Sequence, residues 1–207
     1  MNFVPPSLDP SAALARLVAT ATGERRILGI AGAPGAGKST LAHAVTDAID
    51  GAVLIPMDGF HLAQRVIDAA GLANRKGAPE TFDRTGYAAL LTRLRDQRPD
   101  HAPIYAPEFR RSIEEPIAGA IAVPPDCPLV VTEGNYLLHW PEVHALLDET
   151  WWVQIDPHER RARLAARHAA FGKTPGAAAA WAHGPDERNA RLVAPGRDIA
   201  DVIVRGQ

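Results

Sequence analysis

The chain has 207 residues, a formal net charge of -2, and 46% hydrophobic against 22% charged residues. That balance suits one globular α/β domain, is too apolar for a disordered chain, and offers no bulk charge to attract nucleic acid or an anionic membrane. Cys127 is the single cysteine, which excludes an internal disulfide and a cysteine-based metal cluster.

Met1 to Pro10 lacks the basic stretch and apolar run of a signal peptide, and no apolar run approaches the roughly 18 residues of a membrane span. A cytoplasmic protein with no membrane partner is the expectation. Residues 1–25 read as an N-terminal helical extension, with a helix over Ser11 to Thr20 capped by Ser11. Ile27 to Ala31 is an apolar run ending in a glycine-rich turn, as a buried strand would. Lys38 to Ala48 has helical periodicity, Val53 to Pro56 is a second strand, and Phe60 to Ala70 is compatible with a helix.

Residues 71–125 are turn-rich and read as an insertion on the substrate side, with one helix around Tyr87 to Gln97 that aligns Leu90, Leu91 and Leu94. Pro124, Pro125 and Pro128 fence the start of a third strand, Leu129 to Thr132. Trp151 to Ile155 and Asp201 to Val204 are the fourth and fifth, and helical patterns cover Val143 to Asp148, His158 to Ala170 and Ala177 to Val193. Apolar strands alternating with helices predict a single domain with a parallel five-stranded sheet buried on both faces.

Residues 32 to 39 read GAPGAGKS and match G-x-x-x-x-G-K-[ST] in full, between a strand and a helix. This predicts the P-loop NTPase fold, with strand order 2-3-1-4-5. Gly32, Gly35 and Gly37 let the backbone curl, so that the loop, which runs through Ala33, Pro34 and Ala36, points its available N–H groups at phosphate oxygens. Lys38 reaches the β- and γ-phosphates, Ser39 ligates Mg2+, and Thr40 is placed for the α-phosphate. ATP and Mg2+ are the expected cofactors. Lys38 is one of only three lysines, with Lys76 and Lys173, among 22 cationic residues, which adds weight to a lysine at a motif position.

Asp58 and Glu133 follow the second and third strands, at the sheet edge where parallel sheets hold their ligands. Either can serve the metal or its water shell, or orient an attacking hydroxyl and take its proton; either can also cap a turn. Met57-Asp58-Gly59-Phe60-His61 resembles the Asp-Gly-Phe segment of the uridine kinase, pantothenate kinase and phosphoribulokinase superfamily. Val130 to Leu137 is similar to its Walker B-like strand ending in Glu-Gly, and Gly77 to Asp83 resembles its substrate-side segment. Arg111 to Val123 and Gly134 to Trp140 are similar to a bacterial group labelled nucleoside kinase-like or fructose-transport-associated kinase. The resemblance implies that Asp58 is the catalytic base and that Glu133 supports the magnesium. An Asn-Lys-x-Asp segment, which a guanine-specific switch requires, is absent.

Asp156-Pro157 opens a helix that places Arg160, Arg163 and Arg167 on one face. Residues 157–175 read as a lid whose arginines neutralise charge during transfer; its likeness to the family's Arg-rich lid points to Arg163 and Arg167, with Lys173 just beyond. Pro103 to Phe109 resembles an acceptor-side segment of relatives, which makes Arg110 and Arg111 candidates for binding the acceptor or for pairing with Glu108, Glu114 or Glu115. His61, Phe82 and Tyr105 are candidates to line the pocket. Trp140, Trp151, Trp152 and Trp181 lack the interleaved basic residues of a stacking surface, so no nucleic-acid partner is expected. The reading that emerges is an ATP-dependent kinase for a hydroxyl of a small metabolite: a sugar such as fructose, a nucleoside or pantothenate. The alternative is a nucleotide-binding regulatory protein without turnover. The oligomeric state, a homodimer included, stays open.

Overall fold

A computed structural model describes residues 4–19 and 23–206. The strands are β1 (Ser7–Leu8), β2 (Arg26–Ala31), β3 (Val53–Pro56), β4 (Ile104–Arg110), β5 (Glu115–Val123), β6 (Leu129–Gly134), β7 (Glu149–Gln154) and β8 (Val202–Arg205). The helices are α1 (Pro10–Ala19), α2 (Lys38–Ala48), α3 (Gln64–Ala69), α4 (Arg84–Arg95), α5 (Pro141–His144), α6 (Pro157–Ala170), α7 (Pro175–His183) and α8 (Pro185–Val193). The main sheet runs β1-β8-β7-β2-β6-β3 with every pairing parallel.

The five expected strands therefore lie in the expected order, and the sheet has a sixth. Ser7 and Leu8 pair with Ile203 and Val204 at the outer edge, two residues too short to leave a periodicity in the sequence. Helix α1 is capped by Asp9, whose carboxylate accepts the Ala12 N–H at 2.8 Å, rather than by Ser11. Thr20, the expected last residue of that helix, lies outside the described residues, as do Met1 to Phe3.

Alternation along the buried strands builds two cores. Ile27 and Ala31 of β2 join Val130 of β6, Ile55 of β3 and the α4 leucines Leu90, Leu91 and Leu94 on one face. Leu28 and Ile30 join Val131, Trp151 and Val153 under α1 and α2 on the other. Truncating a fully buried side chain such as Leu91 to alanine costs about 2–5 kcal/mol in such a core.

Two expectations about helices need correction. Gly184 and Pro185 split the long helix expected over Ala177 to Val193 into α7 and α8. The helix expected over Val143 to Asp148 is the four-residue α5, which starts earlier, at Pro141. The turn-rich insertion also contains the antiparallel hairpin β4–β5, broken by a register shift between Ala106 and Glu108 where Pro107 sits. Its prolines, Gly119 and alanines hide the alternation that marks a strand.

Candidate active site

Parallel register brings the predicted residues together. Glu133 on β6 pairs with Ile30 of β2 on one side and Pro56 of β3 on the other. The loop after β2, the turn after β3 and the end of β6 thus open onto one edge. The Met57–Phe60 turn places Asp58 there, and its close fit explains Gly59: a Cβ at that position would lie 2.3 Å from the Pro107 carbonyl oxygen of the hairpin.

The phosphate loop enters α2 through Gly37, whose φ of 92° is left-handed. No side chain caps α2, whereas Asp83, Asp156 and Thr174 cap α4, α6 and α7. The first N–H groups of α2 are thereby left for an anion, with the positive end of the helix dipole behind them. Lys38 folds back over the loop and donates to the Ala33 carbonyl at 3.1 Å and to Asn135 Oδ1 at 2.8 Å. Ser39 donates to Glu133 Oε1 at 2.8 Å. Burial pushes the Lys38 ammonium down and the Glu133 carboxyl up, and each opposes the shift of the other through its charge.

Two cavities flank this loop. The larger, about 530 Å³, runs from Lys38, Ser39 and Glu133 past Asp58 to the hairpin and to α6–α8. The smaller, about 230 Å³, lies between Gly35, Gly37, Lys38, Ser39 and Thr40 on one side and Arg163, Leu164 and Arg167 on the other. Arg167 borders both.

Of the acceptor-side candidates, His61, Phe82 and Arg111 line the large cavity, while Tyr105 and Arg110 do not. Strand alternation turns Tyr105 and Arg110 outward, against the expectation that they contact substrate. Arg111 pairs not with a neighbouring glutamate but with Asp58, Nη2 to Oδ2 at 3.0 Å. His61 stacks 3.9 Å from Phe82 and 4.8 Å from Phe109 between ring centroids, and burial holds its imidazole below the ordinary value.

The arginines of α6 divide differently from the expectation of one shared face. Arg160 is buried, donates to the Pro34 carbonyl at 3.3 Å and pairs with Glu187, so it fastens the loop to α8 instead of facing a ligand. Arg163 pairs with Glu159 and lies over Gly37. The face that closes the cavity continues past residue 175 to Trp181, Asp186 and Asn189. Trp181 thus lies on the cavity, while Trp140, Trp151 and Trp152 are buried in the core.

Sequence reasoning did not single out Asn135, Gln64, Lys76, Phe109, His168, Asp186 or Asn189 as site residues, although all seven line the cavity. One signal was available, since all three lysines of the chain, Lys38, Lys76 and Lys173, meet there.

No group of three or more metal-ligating side chains occurs among the described residues. The donors nonetheless fit a hard cation that keeps several waters: the Ser39 hydroxyl and the buried Glu133 carboxylate, side by side next to the phosphate loop. No helix of the described residues is long and apolar enough to cross a membrane.

No protein-family model matches the chain. Individual proteins do. An Aspergillus versicolor protein named "ATP-dependent kinase-like protein notR'" is 37% identical over 133 residues, 60% of this chain and 77% of its own length. The Schizosaccharomyces pombe protein "Putative uridine kinase C227.14" is 34% identical over 163 residues, 72% of this chain and 68% of its own. Among solved structures, a "putative fructose transport system kinase" from Silicibacter sp. TM1040 superposes with a TM-score of 0.85 at 35% identity, covering 95% of this chain and 98% of that one.

Proposed function

Because this chain belongs to the uridine kinase-like superfamily of ATP-dependent P-loop kinases, we propose that it transfers the γ-phosphoryl group of ATP to a hydroxyl of a small metabolite. The observation that carries this reading is the placement of Asp58. Its carboxylate borders the same cavity as Lys38, Ser39 and Glu133 but belongs to a different strand end, across from the phosphate loop. An acceptor hydroxyl held by Asp58 would share that cavity with a phosphate bound at the loop.

In the proposed reaction, the loop amides and Lys38 hold the β- and γ-phosphates, while Arg163 and Arg167 border the same loop from the lid side. Ser39 and Glu133 would hold Mg2+, which when bound would offset the phosphate charge. Asp58 orients the hydroxyl and accepts its proton as the new P–O bond forms; the bond to the β-phosphate oxygen breaks, and ADP leaves. Closure of α6–α8 over the cavity excludes water.

A cavity of about 530 Å³ suits a small metabolite. A sugar is our first choice of acceptor, in line with the fructose system named for the Silicibacter protein; a nucleoside, as the name of the yeast relative suggests, and pantothenate follow. The test is ATP consumption across a panel of sugars, nucleosides and vitamins, comparing wild type with Asp58→Asn. Acceptor-dependent turnover that collapses in the variant supports the assignment. No turnover with any compound, despite ATP binding, would favour a non-catalytic nucleotide-binding protein.

A further inference from the structure

Every carboxylate that lines the large cavity is already engaged. Glu133 accepts from Ser39 at 2.8 Å, Asp58 from Arg111 at 3.0 Å and Glu114 from Lys76 at 3.1 Å, and Asp186 Oδ2 lies 2.7 Å from His168 Nε2. The cations are not all matched. Among the described residues Arg167 and Lys173 pair with no carboxylate, and Lys173 instead sits over the Trp181 ring at 4.4 Å. Arg167 also borders the phosphate-loop cavity, where ATP supplies its counter-charge. Arg111 and Lys173 border only the large one.

The position of Arg111 poses a chemical problem for a kinase. Its guanidinium occupies Oδ2, one of the two Asp58 oxygens that could take the proton of the acceptor. A neutral hydroxyl offers Arg111 nothing in exchange for that partner. A carboxylate or phosphate does, and the exchange leaves both charges matched. We infer that the acceptor carries its own acidic group, and that Arg111 moves from Asp58 to that group when the acceptor binds, freeing Asp58 to act. The inference rests on the kinase reading above and narrows its acceptor, replacing the neutral sugar and nucleoside named there by an acidic counterpart such as a sugar acid or sugar phosphate.

The surroundings of Arg111 fit a side-chain switch on a fixed support. Lys76 holds the hairpin tip through the Glu114 carboxylate and, at 3.1 Å each, the Glu114 carbonyl, and also donates to Gln64 at 2.9 Å. The Gln64 N–H in turn donates to the Glu115 carboxylate at 3.1 Å. Arg111 is 46% exposed at its side chain, so its long stem can turn without disturbing this frame. While the pair holds, that Asp58 oxygen is not free to activate water against ATP in the absence of acceptor. The charge of Arg111 also reaches Arg167, whose guanidinium is held below its ordinary value first by desolvation in the crevice and next by Arg111, against the opposing charges of Asp186, Asp58 and Glu133.

The experiment compares matched pairs of acceptors that differ in one acidic group: glycerate with glycerol, gluconate with glucose, and fructose 6-phosphate with fructose. Wild type should favour an acid over its neutral counterpart by about tenfold or more in kcat/KM. Arg111→Gln should erase that preference mainly through KM and raise acceptor-independent ATP hydrolysis severalfold, and Arg111→Lys should restore part of the preference. The carboxylate and phosphate arms tell which acidic group is read. Efficient, Asp58-dependent phosphorylation of a neutral sugar, with its acid analogues no better, would overturn the inference and leave the kinase standing. An acid preference that survives Arg111→Gln would also overturn it. If no acceptor of either kind supports turnover or binds calorimetrically beside a non-hydrolysable ATP analogue, both readings fall.

Discussion

The donor and acceptor sides of this site are built in different ways. On the donor side, eight contiguous residues, Gly32 to Ser39, make most of the cradle, and one partner from a neighbouring strand, Glu133, completes it. On the acceptor side, the lining is gathered from the turn of Asp58 and His61, residues 73–82, the hairpin around Phe109 to Glu114, and helices α6 to α8. In the proposed reaction, backbone amides set by loop geometry do the binding on the first side, together with Lys38. Side chains do it on the second, and a single substitution can change what is bound. The donor side should therefore fail completely when broken, and the acceptor side should change its preference.

Lys38→Ala is the sharpest way to break the donor side. It removes the one flexible cation of the loop, and kcat/KM for transfer should fall about 10³-fold. Thermal stability should hold, because the buried ammonium carries a desolvation cost that alanine does not. A steady-state assay showing less than a tenfold loss would overturn the cradle assignment. Asp58→Asn tests the junction between the two sides: kcat should drop about 10²-fold to 10³-fold with the ATP KM nearly unchanged. A variant whose KM for ATP rises while kcat holds would place Asp58 on the donor side instead.

The contrast also explains what could be read from the chain. The phosphate loop is a contiguous motif whose physics is local, so the strand, turn and helix around Gly32 to Thr40 were legible in the sequence. Strand-end logic recovered Asp58 and Glu133, because buried parallel strands are unbroken apolar runs. Pairing between distant segments was not legible. Nothing local says that Arg111 meets Asp58, that Lys76 meets Glu114, or that Arg160 turns inward to Glu187. Arg160 was grouped with Arg163 and Arg167 by spacing alone, and spacing does not say which flank of a helix packs against the body. The hairpin escaped because Pro107 and Gly119 interrupt its pattern, and Trp181 because tryptophan reads as core.

Helix α6 allows that point to be tested within one element. Arg160→Met should lower the free energy of unfolding by about 2–3 kcal/mol, since it leaves Glu187 to the longer pair with Arg161 at 4.0 Å and releases the Pro34 carbonyl. Arg163→Met, at an exposed pair with Glu159, should change stability by less than about 0.5 kcal/mol while weakening ATP use. Urea melts beside ATP titrations separate the two. Equal stability losses would mean that both arginines serve packing.

The smallest expected effect concerns His61, where the acceptor pocket meets the core. Burial depresses its pKa, while the Asp58 charge and carbonyl oppose the shift and Lys76 and Arg111 reinforce it. In the unfolded chain the imidazole takes up a proton as the pH falls through about 6.5; in the folded chain it stays neutral to lower pH. Over that window the unfolded state binds more protons, so stability present above 6.5 is lost as the pH drops towards the folded value. His61→Phe keeps a ring between Phe82 and Phe109 and removes the titration, at a cost of about 1 kcal/mol for the hydrogen bond to the Asp58 carbonyl. Its stability should thus be lower than wild type at pH 8, and the gap should narrow towards pH 5. Denaturant midpoints at several pH values give the comparison, and a constant gap would show that His61 is no better solvated in the unfolded chain than in the pocket.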